Sequence, residues 1–111
     1  MNQDKLKQKE YFLSIIPKRY LLGIINKKDF TEAKLKEMLE TITNKKVIKV
    51  NSALDNLSMN ELIELFIDYQ LLTLNETKEL YFQFRDNINP IFYLYKFQED
   101  FELTIGELKK N

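Results

Sequence analysis

Glycine and proline are scarce in this chain, and their scarcity limits the folds that it can adopt. Two glycines and two prolines occur in 111 residues. β-Sandwiches and β-barrels need a turn about every ten residues, and such turns depend on these two residue types. The 44% hydrophobic and 31% charged content is that of a globular protein. We therefore expect an all-α fold: a single helical domain over residues 1–111, built as a compact bundle of five to seven short helices.

Capping boxes mark where three of these helices begin. In a capping box, a Ser, Thr or Asp side chain caps the helix and a Glu three residues later bonds back to the cap N–H. Boxes of this kind start at Asp29, Ser58 and Thr73. Apolar residues follow each box at helical spacing. The boxes predict helices over residues 30–43, 59–71 and 74–87.

Proline placement predicts two more helices near the start of the chain. The residue before a proline avoids helical geometry, so a first helix over residues 3–15 ends ahead of Pro17. Pro17 suits the first turn of a second helix, over residues 18–27, because a proline there loses no hydrogen bond. Together with the three capped helices, these make five.

Two segments are ambiguous. Over residues 44–57, apolar residues at helical spacing favour a helix, although the run Lys-Val-Ile-Lys-Val is also typical of a short strand. Residues 91–97 are almost wholly apolar, so periodicity cannot distinguish a helix from a strand. A short C-terminal β-hairpin over residues 91–105 is the alternative to a last helix.

The absence of histidine and cysteine excludes several kinds of chemistry. Without cysteine there is no disulfide, thiol nucleophile or thiolate metal site, and without histidine there is no Ser-His-Asp triad or imidazole ligand. Glu61, Glu64 and Asp68 recur along one helix face, but a cation site normally draws ligands from several helices, so a solvated face is the expectation. We predict a non-enzyme with no catalytic residues, no cofactor and no metal.

Charge is balanced over the chain but divided between its halves. Residues 1–50 carry twelve Lys or Arg against six Asp or Glu, and residues 51–111 carry five against eleven. If the first helices pack together, the basic residues could form one patch that binds phosphate. The candidate basic patch consists of Lys18, Arg19, Lys27, Lys28, Lys45, Lys46 and Lys49. A helix–turn–helix over residues 59–87 is disfavoured, because its second helix carries three acidic residues against two basic ones.

Aromatic residues concentrate near the C-terminus. Eight of the fourteen lie between residues 81 and 101. A helix in so small a domain cannot bury all its sides, and exposed Tyr and Phe are typical of interface centres. The ordinary alternative is that these rings form core. The candidate protein interface consists of Phe92, Tyr93, Tyr95, Phe97 and Phe101.

These features favour protein–protein interaction as the function, as an adaptor, a regulatory subunit or a small inhibitor. Homo-oligomers are compatible with it, and a nucleic-acid-associated protein using the lysine-rich patch is the alternative. No apolar run reaches the ~20 residues that cross a bilayer, so we expect a cytoplasmic protein without a membrane partner. Fifteen lysines against two arginines suggest an AT-rich genome. Small proteins of this composition are frequent in bacteria, phages and mobile elements, including inhibitors of defence systems.

Overall fold

Six helices make up most of the part of the chain that the structure describes. This computed structural model describes residues 2–84 and 86, and within them no strand is present. The helices are α1 (Asn2–Ser14), α2 (Lys18–Lys27), α3 (Glu32–Thr43), α4 (Val50–Asp55), α5 (Met59–Asp68) and α6 (Leu74–Phe84). The all-α prediction is confirmed for these residues, as is the break between α1 and α2 at Pro17. The alternative hairpin over residues 91–105 lies outside them.

The chain divides into two compact units. One combines residues 1–16 with residues 72–111, and the other is the continuous segment 17–71. The described helices of the first unit are α1 and α6, and its buried residues there are Phe12, Leu13, Ile16, Thr77 and Leu80. The second unit contains α2 to α5. The single domain over residues 1–111 stays a prediction.

Helix α3 organises the core of the second unit, since it packs against both α4 and α5. Met38 and Leu39 on its apolar stripe are fully buried, whereas Leu35 and Ile42 are half-buried. The remaining buried apolar residues of this unit come from α2, α4, α5 and the loops. They are Leu21, Ile24, Ile25, Val47, Val50, Leu54, Leu57, Leu62, Ile63, Leu65, Phe66 and Leu71.

Two of the predicted capping boxes are present. The Ser58 hydroxyl accepts from the Glu61 N–H at 3.1 Å, and the Glu61 carboxylate accepts from the Ser58 N–H at 2.9 Å. Thr73 and Glu76 make the same pair of bonds at 3.1 and 2.9 Å. Each pair satisfies backbone donors that the first turn of a helix otherwise leaves without a partner.

The third predicted box, at Asp29, is wrong. Asp29 has a left-handed φ of 54°, and its N–H donates to the Asn26 carbonyl, so it ends α2. A helix cap needs extended backbone, which Thr31 provides. The Thr31 hydroxyl accepts from the Lys34 N–H at 3.1 Å, and α3 begins one residue later.

The helix predicted over residues 44–57 is much shorter than expected. Only Val50–Asp55 is helical, and residues 44–49 form an irregular loop. Asn44 takes a left-handed φ of 57° and ends α3. The apolar spacing nevertheless predicted burial correctly, because Val47, Val50, Leu54 and Leu57 are all buried.

Helix α5 ends at Asp68, three residues earlier than predicted. The Leu71 N–H donates to the Phe66 carbonyl at 3.0 Å and the Gln70 N–H donates to the Ile67 carbonyl at 3.3 Å. These bonds form a Schellman motif around Gln70, whose φ is 48°. The motif turns the chain so that Leu71 is buried.

Candidate functional site

The loop between α3 and α4, residues 44–49, is bonded to α3 through Glu40. The Asn44 N–H donates to the Glu40 carbonyl at 2.9 Å, which is the closing backbone bond of α3. Three residues later, the Val47 N–H donates to Glu40 Oε2, also at 2.9 Å. Val47 is 5% exposed, so the Glu40 carboxylate satisfies a buried donor that has no helical partner. The 44–49 loop therefore has a defined conformation although it lacks regular structure.

Ile48 is presented to solvent by this loop. Lys49, which follows Ile48 and precedes α4, has extended backbone, with φ −113° and ψ 110°, and is exposed as well. Val47 and Val50 are buried, whereas Ile48 between them is 85% exposed. Among the described residues, the other large apolar side chains that are exposed are Leu74 and Phe82, at 43% each.

Ile48 adjoins two further apolar side chains in an open depression. Phe30 and Leu35 are half-buried and line it together with Ile48, and its volume is about 510 Å³. With Thr31 as the cap, Phe30 and Leu35 occupy the two positions that a hydrophobic staple joins across a helix start. We call Phe30, Leu35 and Ile48 the Ile48 surface. Lys49 and Glu32 line the same depression.

A second depression at the loop is lined mainly by basic side chains. Lys36, Lys45 and Lys46 line it, with Asn44 and Glu40. All three lysines are exposed, as is Lys49. We call Lys36, Lys45, Lys46 and Lys49 the lysine rim. The 44–49 loop thus contributes to two depressions, one that contains the Ile48 surface and one that is lined by three lysines.

The predicted basic patch is distributed over several local environments. Lys18 Nζ donates to the Asp55 carbonyl at 2.6 Å, which joins α2 to the end of α4. The Arg19 guanidinium lies 5.2 Å from the ring centre of Tyr20. Lys27 is exposed in the last turn of α2, and Lys28 is half-buried at its end.

The structure brings Lys45 and Lys46 together in one depression and places Lys49 in the other. Sequence reasoning missed Lys36, which joins the first pair, and it missed the Ile48 surface altogether. Placing the cap of α3 at Thr31 instead of Asp29 puts Phe30 and Leu35 at the two positions that a hydrophobic staple joins. A correct prediction of this cap would therefore have revealed two of the three members of the Ile48 surface.

The predicted aromatic interface, Phe92 to Phe101, lies outside the described residues. The aromatic pair that precedes it is described: the rings of Tyr81 and Phe82 pack edge to face, with centres 6.0 Å apart. Of the three acidic residues along one face of α5, Glu61 has a structural role, because its carboxylate accepts the Ser58 N–H at the start of the helix. Glu64 and Asp68 are exposed. Over residues 2–84 and 86, no three acidic side chains cluster closely enough to hold a metal ion.

Comparison with family models, with curated protein sequences and with solved structures gives no match for this chain. In the described part, none of the helices combines the length and the apolar character that crossing a membrane requires.

Proposed function

We propose that this protein is a non-enzymatic protein–protein interaction module, acting in the cytoplasm as an adaptor, a regulatory subunit or a small inhibitor. The observation that carries the proposal is the exposure of Ile48 on an anchored loop, beside Phe30 and Leu35. A partner covering these side chains would remove apolar surface from water.

The energetics of Ile48 support this interpretation. Burying an isoleucine side chain that is otherwise exposed is worth about 1.5–3 kcal/mol. Here Ile48 shares one depression with two further apolar side chains, Phe30 and Leu35, and Lys49 and Glu32 line the same depression.

The anchored loop also lowers the cost of binding. A flexible loop loses conformational entropy when a partner orders it, and that loss weakens binding. The Val47 N–H, next to Ile48, is bonded to the Glu40 carboxylate of α3 in the absence of a partner. Less ordering of the loop would then be needed when a partner covers Ile48.

Nucleic-acid association is the second candidate, and the basic depression favours it. Lys36, Lys45 and Lys46 lie together and could contact phosphates. Lysine contacts of this kind are sensitive to salt and carry little sequence information. Arginine, the commonest reader of guanine edges, occurs only twice in the chain.

The test is recovery of the tagged full chain from cells of its native source, with and without nuclease and at low and high salt, followed by mass spectrometry. The proposal predicts a stoichiometric protein partner that survives nuclease. Partners that disappear with nuclease would contradict it and favour nucleic acid, whereas loss at high salt alone would show only that the lysines contribute to binding. The matched variants are Ile48→Ser in the proposed surface and Leu74→Ser in the other unit.

A further inference from the structure

We infer that the Ile48 surface and the lysine rim together bind an acidic protein segment that carries at least one large apolar side chain. The inference rests on the proposed function and specifies the chemistry of its partner. It follows from two features that share the 44–49 loop: the exposed apolar side chain of Ile48, beside Phe30 and Leu35, and a group of exposed lysines.

Charge complementarity selects an acidic partner. Four lysines line the two depressions, against two glutamates, Glu32 and Glu40. One oxygen of the Glu40 carboxylate already accepts the Val47 N–H. Basic side chains therefore outnumber acidic ones over the two depressions taken together, and acidic side chains of a partner would be attracted while basic ones would be repelled.

The apolar centre selects a protein partner over a nucleic acid. Single-stranded nucleic acids are usually bound by stacking bases on aromatic rings. The most exposed side chain here is the aliphatic Ile48, whereas the neighbouring ring, Phe30, is half-buried. Phosphate groups would contact the lysine rim but would leave Ile48 in water. An acidic segment with a leucine, isoleucine or phenylalanine side chain satisfies both parts of the surface.

The experiment selects binders from a displayed random-peptide library, using the full chain as bait at low salt. We expect the enriched peptides to combine Asp or Glu with Leu, Ile or Phe. The dissociation constant of an enriched peptide is then measured for the wild type, for Ile48→Ser and for a triple variant with Lys45, Lys46 and Lys49 changed to Gln. Leu74→Ser serves as the control, because Leu74 is also an exposed apolar residue but lies in the other unit.

Ile48→Ser should raise the dissociation constant about tenfold to hundredfold, which is what loss of one buried isoleucine implies. The triple lysine variant should raise it about tenfold at low salt and weaken its salt dependence. Leu74→Ser should leave it unchanged. Circular dichroism of each variant shows whether the helices are retained, and the substituted side chains are all exposed.

Several results would overturn the inference. These are a selection without binders, enrichment of neutral or basic peptides, and affinity that Ile48→Ser leaves unchanged. Nucleic acid that binds through the lysine rim regardless of Ile48 would assign the surface to phosphate. A dimer of the purified chain that Ile48→Ser dissociates would assign it to a second copy. If a protein partner is nevertheless recovered from cells, the proposed function is retained and only the inference that the partner is an acidic segment is rejected.

Discussion

Replacing Glu40 with alanine should loosen the 44–49 loop while leaving α3 helical. Glu40 Oε2 is the acceptor for the Val47 N–H at 2.9 Å, and Val47 is buried. In Glu40→Ala this donor loses its partner inside the protein. Alanine has a higher helix propensity than glutamate, so the helix itself is not weakened.

The expected magnitude follows from the kind of bond that is lost. A hydrogen bond to a charged group contributes about 1.5–3 kcal/mol, and Glu40 is only half-buried, which places its bond at the lower end. We expect local opening of the loop to become easier by about 1.5–2 kcal/mol, or roughly ten- to thirtyfold. Glu40→Gln keeps an oxygen acceptor without the charge and should lose about half as much.

The assay is amide hydrogen exchange at Val47, followed by NMR. Protection of this amide should fall by the factor given above in Glu40→Ala, and by less in Glu40→Gln. The control is Glu37→Ala, on the same helix. Glu37 is exposed and pairs with Lys34 at 3.8 Å, an interaction worth less than about 1 kcal/mol. Equal protection of Val47 in the Glu40 and Glu37 variants would refute the anchoring argument.

Four further substitutions test the fold. Leu39→Ala, at a fully buried position on α3, should cost about 2–5 kcal/mol in urea unfolding; a cost under about 1 kcal/mol would contradict the described core. Ser58→Ala should cost about 1 kcal/mol by removing a helix cap, and no change would argue against the capping box. Gln70→Gly should stabilise by about 0.5 kcal/mol, because glycine adopts the left-handed φ without strain; destabilisation would contradict the Schellman motif. Thr77→Val should change stability by less than about 0.5 kcal/mol, since the Thr73 carbonyl that accepts the hydroxyl also accepts the Thr77 N–H; a larger loss would give the hydroxyl another role.

Helix starts were predictable where one residue alone could act as the cap. Ser58 and Thr73 each stand three residues before a glutamate and ahead of an apolar run, and both form the expected bonds. Before α3, however, Asp29 and Thr31 are both good caps. The choice between them depends on the backbone of Asp29, which is left-handed because of how α2 ends. Local sequence does not contain that information.

The candidate site was harder to predict because its loop is bonded to the Glu40 side chain, which is several residues away in sequence. Val47, Ile48 and Val50 are all β-branched and apolar, so sequence does not show which of them faces solvent. The bond that holds this segment joins the Val47 N–H to Glu40, seven residues away, and short-range patterns do not indicate it. The spacing of lysines pointed to Lys45, Lys46 and Lys49, whereas the grouping of Ile48 with Phe30 and Leu35 is visible only in the structure.

The measurement that tests the central claim most directly is amide NMR of the full chain during titration with the protein partner recovered from cells. The proposal predicts that the largest shifts cluster at residues 44–49 and extend to Phe30 and Leu35. Ile48→Ser should weaken these shifts at the same partner concentration. Shifts confined to residues 91–105, or to α2 around Lys18 and Arg19, would contradict the assignment of binding to the Ile48 surface.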